Sequence, residues 1–256
     1  MKTKQWYKIQ NKADDVVDIF VYDEISYVGV SAQDFISELS EINASQINLH
    51  INSPGGLVFD GFAIYDAIRQ HSAKVTTYVD GIAASIASII ALAGDEIIMA
   101  ENAFLMIHSP WSFVAGGAAD MRKEANLLDK IEVQLVNVYA KRTGLDATQI
   151  AEWVTEETWF NADEAKQHGF IDSISDGAEP EDKHNLSVFG KVPDAAKETW
   201  HNEVLSLRKL EQALRDAGVS RSEAKSLLGN SRRDAVDDVK DDGVSDSLDN
   251  LLDKFN

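Results

Sequence analysis

Cysteine is absent from the 256 residues. Disulfides, thiolate metal sites and a cysteine nucleophile are therefore excluded, and the absence fits a reducing compartment. Basic residues are scarce, 24 Lys and Arg against 43 Asp and Glu, for a formal charge of −19. Phosphate binding needs clustered Lys and Arg, so nucleic acid is not an expected partner. Long apolar runs are missing too. The longest, residues 82–94, is about one-third short of the span a membrane helix needs, and Ser85 and Ser88 interrupt it. No membrane association is expected. No apolar stretch follows Met1 to Trp6, so no signal peptide is expected and the expected location is the cytoplasm. There is no His-Glu-x-x-His pair and no Walker-type glycine loop. Hence no metal and no cofactor are expected, and any ATP dependence would come from a partner.

What is present is ample core material, 44% hydrophobic residues, in a length that suits one domain or one domain with an appendage. Residues 16–22 (Val-Val-Asp-Ile-Phe-Val-Tyr), 46–51, 74–79, 96–99 and 104–107 have strand character. Between them, 31–42 carries Phe35, Ile36, Leu39 and Ile42 at helical spacing. Residues 57–69 carry Phe59, Phe62, Ala63, Tyr65 and Ile68 on a broad apolar side, and 84–92 reads as a buried helix. This alternation predicts an α/β fold with a mainly parallel sheet covered by helices. A long helix is expected over 118–142, with Met121, Leu128, Ile131, Leu135 and Val138 buried and Gly144 closing it. Short helices are expected over 146–154 and 161–168, the second opened by Asn161 with Glu164.

Composition changes after Asp176-Gly177. The expected division is a compact domain over 1–176, a linker over 177–204, a helical hairpin over 205–230 and an acidic, disordered tail over 231–256. Eight aspartates between Asp234 and Asp253, against Lys240 alone, mark that tail. The hairpin has too little apolar area to fold alone and needs a partner surface.

Three short segments carry chemistry. Gly81-Ile82-Ala83-Ala84-Ser85 places a serine at a strand-to-helix junction among small residues that would let a substrate backbone approach. Met106-Ile107-His108-Ser109-Pro110 places a histidine at the end of an apolar strand, a setting that His50, His71, His168, His184 and His201 lack. Asn52-Ser53-Pro54-Gly55-Gly56 is a tight turn able to aim backbone N–H groups at a carbonyl. Each has a plainer reading: a serine capping a helix, a core histidine with its polar atoms satisfied, and glycines supplying positive φ. Together they supply a nucleophile, a base and an oxyanion cradle, which are the parts of acyl transfer. The serine is not in a Gly-x-Ser-x-Gly elbow.

These three blocks, in this order and spacing, resemble those of the Clp protease proteolytic subunit. A late block from Trp159-Phe160-Asn161-Ala162 to Gly169-Phe170-Ile171-Asp172 extends the resemblance, which covers about residues 15 to 176. It implies a ClpP/crotonase-like spiral of ββα units with a long handle helix, and a serine endopeptidase that hydrolyses polypeptides without metal. Ser85 would be the nucleophile and His108 the base, with the N–H groups of Gly56 and Ile86 as the oxyanion hole. The triad acid of the family is an aspartate, and Glu157 stands at its position, with Glu156 and Asp172 as alternatives. The resemblance also implies stacked homo-oligomeric rings, with Gly116-Gly117 matching a glycine-rich strand along the substrate channel. The C-terminal extension resembles the phage and prophage branch, the head maturation proteases, whose partners would be capsid or scaffold proteins. Other readings are a degradative subunit served by an ATP-driven unfoldase and a catalytically impaired assembly protein. A crotonase-type acyl-CoA enzyme is disfavoured by the Ser85/His108 pairing.

Overall fold

The computed structural model describes residues 5–11, 15–26, 30–176, 186 and 189–193. The chain divides into two units, Met1–Asn202 and Glu203–Asn256. The second lies wholly outside the described residues, and with it the expected hairpin and the expected acidic tail.

The described residues build one eight-stranded sheet. Its strands are β1 (Tyr7–Asn11), β2 (Val16–Val21), β3 (Gln46–Ser53), β4 (Lys74–Ala84), β5 (Glu96–Ala100), β6 (Phe104–Ile107), β7 (Thr158–Asn161) and β8 (Ser173–Ser175). The order runs β1-β2-β3-β4-β5-β8, while β6 pairs with β4 and with β7. Only the β1–β2 and β6–β7 pairs are antiparallel, so the sheet is mainly parallel, as the alternation of elements predicts. Strand β4 serves two neighbours. Thr76 to Val79 pair with β5, and Ile82 to Ala84 pair with β6. The chain thus leaves β4 between two strands, and the functional segments gather there.

Helices α1 (Ala32–Ser40), α2 (Val58–Gln70), α3 (Ile86–Ala91), α4 (Ala118–Thr143), α5 (Ala147–Thr155) and α6 (Ala162–Gln167) complete the fold. The core joins Ile19, Val21, Ile47, Leu49, Ile51, Val75, Val79, Ile97 and Met99 of the sheet to Phe35, Ile64, Ile68, Leu135 and Tyr139 of the helices. Each such large side chain withdrawn from water contributes about 1.5–3 kcal/mol. Ser31 and Asn161 cap α1 and α6 in reciprocal capping boxes with Asp34 and Glu164. Gly144 ends α4 at φ 72°.

The structure departs from the sequence reading in four places. Helix α3 starts at Ile86 rather than 84, because Ala83 and Ala84 continue β4 by pairing with Leu105 and Met106. Phe59 is 64% exposed and Met121 52% exposed, although both fall on apolar faces by periodicity. Helical spacing defines a face but not how much of it neighbours cover; on α4 the buried residues begin only at Ile131. Gly116 and Gly117 lie in no strand; Gly117 is the N-cap of α4, and its N–H donates to Asp120 Oδ2 at 3.0 Å. Strands β1, β7 and β8 were not expected; in β1, Tyr7 is buried against Trp6 and Phe35.

Candidate active site

Where β4 ends, the chain reverses into α3 through Ser85, at φ 55° and ψ −131°. A side chain with Cβ rarely adopts positive φ, and such strain persists only where the surroundings hold it. Here the Ser85 N–H donates to Met106 O at 3.0 Å. The Ser85 carbonyl accepts from the Ser88 N–H at 3.0 Å and from Ser88 Oγ at 2.6 Å. Ser88 Oγ lies 2.7 Å from the hydroxyl of Tyr139, a fully buried residue of α4. Burial pushes the Tyr139 pKa up, so its hydroxyl stays protonated; the single Ser88 hydroxyl proton is committed to the Ser85 carbonyl, which leaves Tyr139 as the donor to Ser88. The turn is sharp, and it sets the Ser85 side chain at the end of the strand as a nucleophile elbow would.

His108 follows β6, the strand paired with the end of β4, and its Nε2 lies 2.8 Å from Ser85 Oγ. Burial depresses the His108 pKa, and the Glu157 charge works in the opposite direction. A depressed pKa keeps the imidazole neutral at neutral pH, the form a general base requires.

The glycine turn packs directly on this pair. A register shift between Ile51 and Ser53 ends the regular β3–β4 pairing and re-aims the chain. Asn52 Oδ1 accepts the Ile82 N–H at 3.2 Å, and Ser53 Oγ accepts the Gly55 N–H at 3.2 Å. A Cβ on Gly55 (φ +103°) would sit 2.7 Å from Ser85 Cβ and 3.2 Å from Ile86 N. One on Gly56 (φ +143°) would sit 2.0 Å from Ile25 O. Only glycine fits either place. Ile25 bridges both flanks of Gly56, donating to Gly55 O at 2.8 Å and accepting from the Leu57 N–H at 3.0 Å. In a parallel bridge this pattern turns the N–H of the middle residue away from the bridging strand. The Ile86 N–H opens α3, where no carbonyl lies one turn back to receive it.

Glu157 lies between α5 and β7 at φ 53°. Its carboxylate accepts from the N–H groups of Gly190 at 2.8 Å and Lys191 at 2.5 Å, and from Trp159 Nε1 at 3.2 Å. Burial works to raise its pKa; those three donors and the neighbouring His108 outweigh it and hold the group below the ordinary glutamate value. Among the described residues it meets His108 through charge rather than a direct hydrogen bond. The alternatives are placed otherwise. Glu156 is the exposed C-cap of α5. Asp172 accepts the Ile97 N–H at 2.8 Å and pairs with Arg142 at 2.8 Å, remote in role from Ser85.

With this geometry in hand, comparison with known proteins is decisive at the level of family. The Clp protease family model matches residues 1–178. The chain belongs to the Clp protease family. It is 27% identical over 195 residues to the ATP-dependent Clp protease proteolytic subunit 1 of Salinibacter ruber, covering 72% of this chain and 84% of that one. It is 29% identical to proteolytic subunit 2 of Corynebacterium diphtheriae, over 66% of this chain and 90% of the relative. Proteolytic subunit 1 of Chlamydia abortus is 33% identical, over 65% and 94% respectively. Membership makes this chain a serine-type endopeptidase. No helix among the described residues is long and apolar enough to cross a membrane.

Several residues around the Clp-type site escape sequence reading. Ser88 and Tyr139, 51 positions apart, look like ordinary core residues until packing joins them. Leu186 and residues 189–193 fall within the expected linker, yet Leu186 and Val192 are buried against Ile82, Ala84 and Met106. The only hint was local, an apolar Leu186, Val188, Phe189 and Val192 after a charged stretch.

Proposed function

We propose that Ser85, His108 and Glu157 form the catalytic triad of a peptide-bond hydrolase and that this chain is a degradative proteolytic subunit working with an ATP-driven unfoldase. The 2.8 Å approach of His108 Nε2 to Ser85 Oγ carries the chemical part of this reading. His108 takes the Ser85 proton as Oγ attacks the substrate carbonyl. The N–H groups of Gly56 and Ile86 receive the oxyanion, and His108 then protonates the leaving amine. Water, deprotonated by the same imidazole, releases the acyl group. Glu157 stabilises the imidazolium that forms in both steps.

The relatives support the degradative assignment, since each bears the name of a proteolytic subunit of an ATP-dependent Clp protease. The head maturation reading rests on the C-terminal extension, and nothing in those names favours it. Self-association into a ring, with α4 as the handle, is supported by the exposed Trp111, Phe113, Val114, Met121, Leu127 and Val133, a concentration of apolar surface beside and along that helix.

Degradation of a folded substrate tests the assignment. The account expects the chain alone to cleave short peptides and to degrade a folded protein only with a Clp-type unfoldase and ATP. Cleavage of a capsid scaffold without any ATPase, and indifference to the unfoldase, would return the assignment to head maturation.

A further inference from the structure

Glu157 departs from the aspartate that the Clp resemblance implies at this position, and the extra methylene leaves its carboxylate an additional torsion to fix. A mobile carboxylate would stabilise the imidazolium poorly, because orientation is what the third triad member supplies. The chain beyond the 1–178 family match provides the missing constraint. Gly190 N–H holds Oε2 and Lys191 N–H holds Oε1, so both oxygens are fixed by backbone groups, with the Trp159 indole N–H adding a second bond to Oε1. These donors are themselves anchored. Leu186 is 1% exposed and Val192 9% exposed, both packed on Ile82, Ala84 and Met106. Ala84 precedes the nucleophile and Met106 accepts its N–H, so the anchor grips the same strand ends that carry Ser85 and His108. Between the anchors, the Phe189 ring stands edge-on to His108 at 5.6 Å and to Trp159 at 5.7 Å between centroids.

We propose that Leu186 and residues 189–193 form a strap that positions Glu157 beside His108, so that the triad is completed by a segment of the same compact unit lying beyond the family match. The inference rests on the reading of Ser85, His108 and Glu157 as a triad. The strap residues are positioning residues; the acid they orient is Glu157. A strap that merely blocked the site would have no need to bind both carboxylate oxygens.

Gly190 offers a clean test. A Cβ there would lie 3.6 Å from Glu157 Oε2, an ordinary contact, so Gly190→Ala retains the N–H without a clash. Gly190→Pro deletes that donor. The rate of Ser85 modification by a fluorophosphonate is measured on the full chain for Gly190→Pro, for Gly190→Ala and for Leu186→Ala with Val192→Ala. Each is made with Glu157 and with Glu157→Gln, and circular dichroism verifies folding. The proposal expects Gly190→Pro and the anchor variant to react about tenfold more slowly, the scale of one charge-assisted hydrogen bond. It expects Gly190→Ala to recover the rate lost in Gly190→Pro, and no further loss when the strap changes are added to Glu157→Gln. Faster reaction on loosening the strap would make it a lid. Equal losses with and without the Glu157 carboxylate would make it structural only. Either result overturns the proposal. A readout independent of Ser85 reactivity is the His108 titration by NMR in the Ser85→Ala protein. Gly190→Pro should lower the imidazole pKa by loosening the carboxylate that supports it, and an unchanged pKa refutes positioning. Failure of the wild type to react with the probe, by contrast, counts against the nucleophile assignment itself.

Discussion

The two arms of the site are built in opposite ways. Ser85 and His108 are 23 positions apart and ride the ends of two strands that pair directly, β4 and β6. The sheet fixes their separation, and Gly55, Ser88 and Tyr139 lock the turn between strand and helix. Glu157 instead sits at a turn after α5, and its carboxylate is held by residues 33 and 34 positions further along. The nucleophile arm is rigid because its parts belong to the core. The acid arm depends on a peripheral segment, which makes it the adjustable half. Orientation by a strap also explains how a glutamate can stand where the resemblance implies an aspartate.

Perturbing the two arms separately should break this contrast or sharpen it. On the rigid arm, Ser85→Ala or His108→Ala should remove peptide hydrolysis by about 10⁶-fold, read as kcat/KM on a short peptide, with thermal stability nearly unchanged. On the acid arm, Glu157→Gln should cost less, about 10²-fold to 10⁴-fold, because the Ser85–His108 hydrogen bond survives. A loss as large as that of Ser85→Ala would show that the arms are not separable.

Gly55→Ala should strike the rigid arm through its backbone. It forces a Cβ to within 2.7 Å of Ser85 Cβ at φ +103°. The expected cost is about 3 kcal/mol of stability in denaturant titration, with activity lost as well. Retained stability and activity would mean that the turn yields more readily than its packing implies.

The pH profile reports on both arms at once. On the proposed mechanism neutral imidazole is the active form, and burial depresses the His108 pKa while Glu157 opposes the shift. The acid limb of kcat/KM should therefore fall below the ordinary histidine value of about 6.5. Glu157→Gln removes the opposing charge, so the limb should move lower still even as the maximum rate falls. A limb moving upward would contradict the electrostatic role of Glu157.

The smallest effect belongs to Tyr139→Phe. Removing that hydroxyl leaves Ser88 with its bond to the Ser85 carbonyl but without its buried donor. Stability should drop by about 1 kcal/mol, and the peptidase rate should fall only a few-fold, as the remaining hydrogen bonds still hold the turn.

Much of the rigid arm was legible in the sequence, and most of the acid arm's support was not. Ser85 and His108 each stand where a run of strand-forming residues ends, and Gly55-Gly56 announces a turn through composition alone. Local patterning carries such signals because it decides where elements stop. The position of Glu157 was legible only through the Trp159-to-Asp172 block that follows it. That its oxygens would be held by backbone N–H groups could not be read, since every non-proline residue carries one. Leu186 and Val192 lie in a segment whose neighbours Glu179 to Asp182 have the composition of a linker, and their burial depends on a surface formed by strands 80 to 110 positions earlier. Met121 and Phe59 show the converse limit. Periodicity placed them on apolar faces, but covering a face is decided by tertiary neighbours, and in the described residues both remain exposed. The predicted α/β order and mainly parallel sheet follow from alternation and crossover rules; β1 escaped although Tyr7-Lys8-Ile9-Gln10 alternates apolar and polar, and β7 and β8, of four and three residues, are too short to show a period.

The central claim is that Ser85 is an activated nucleophile, and intact-mass spectrometry after fluorophosphonate treatment tests it most directly. The account predicts a single adduct per chain that disappears in Ser85→Ala. An unmodified wild-type chain, or an adduct that persists in Ser85→Ala, would contradict it.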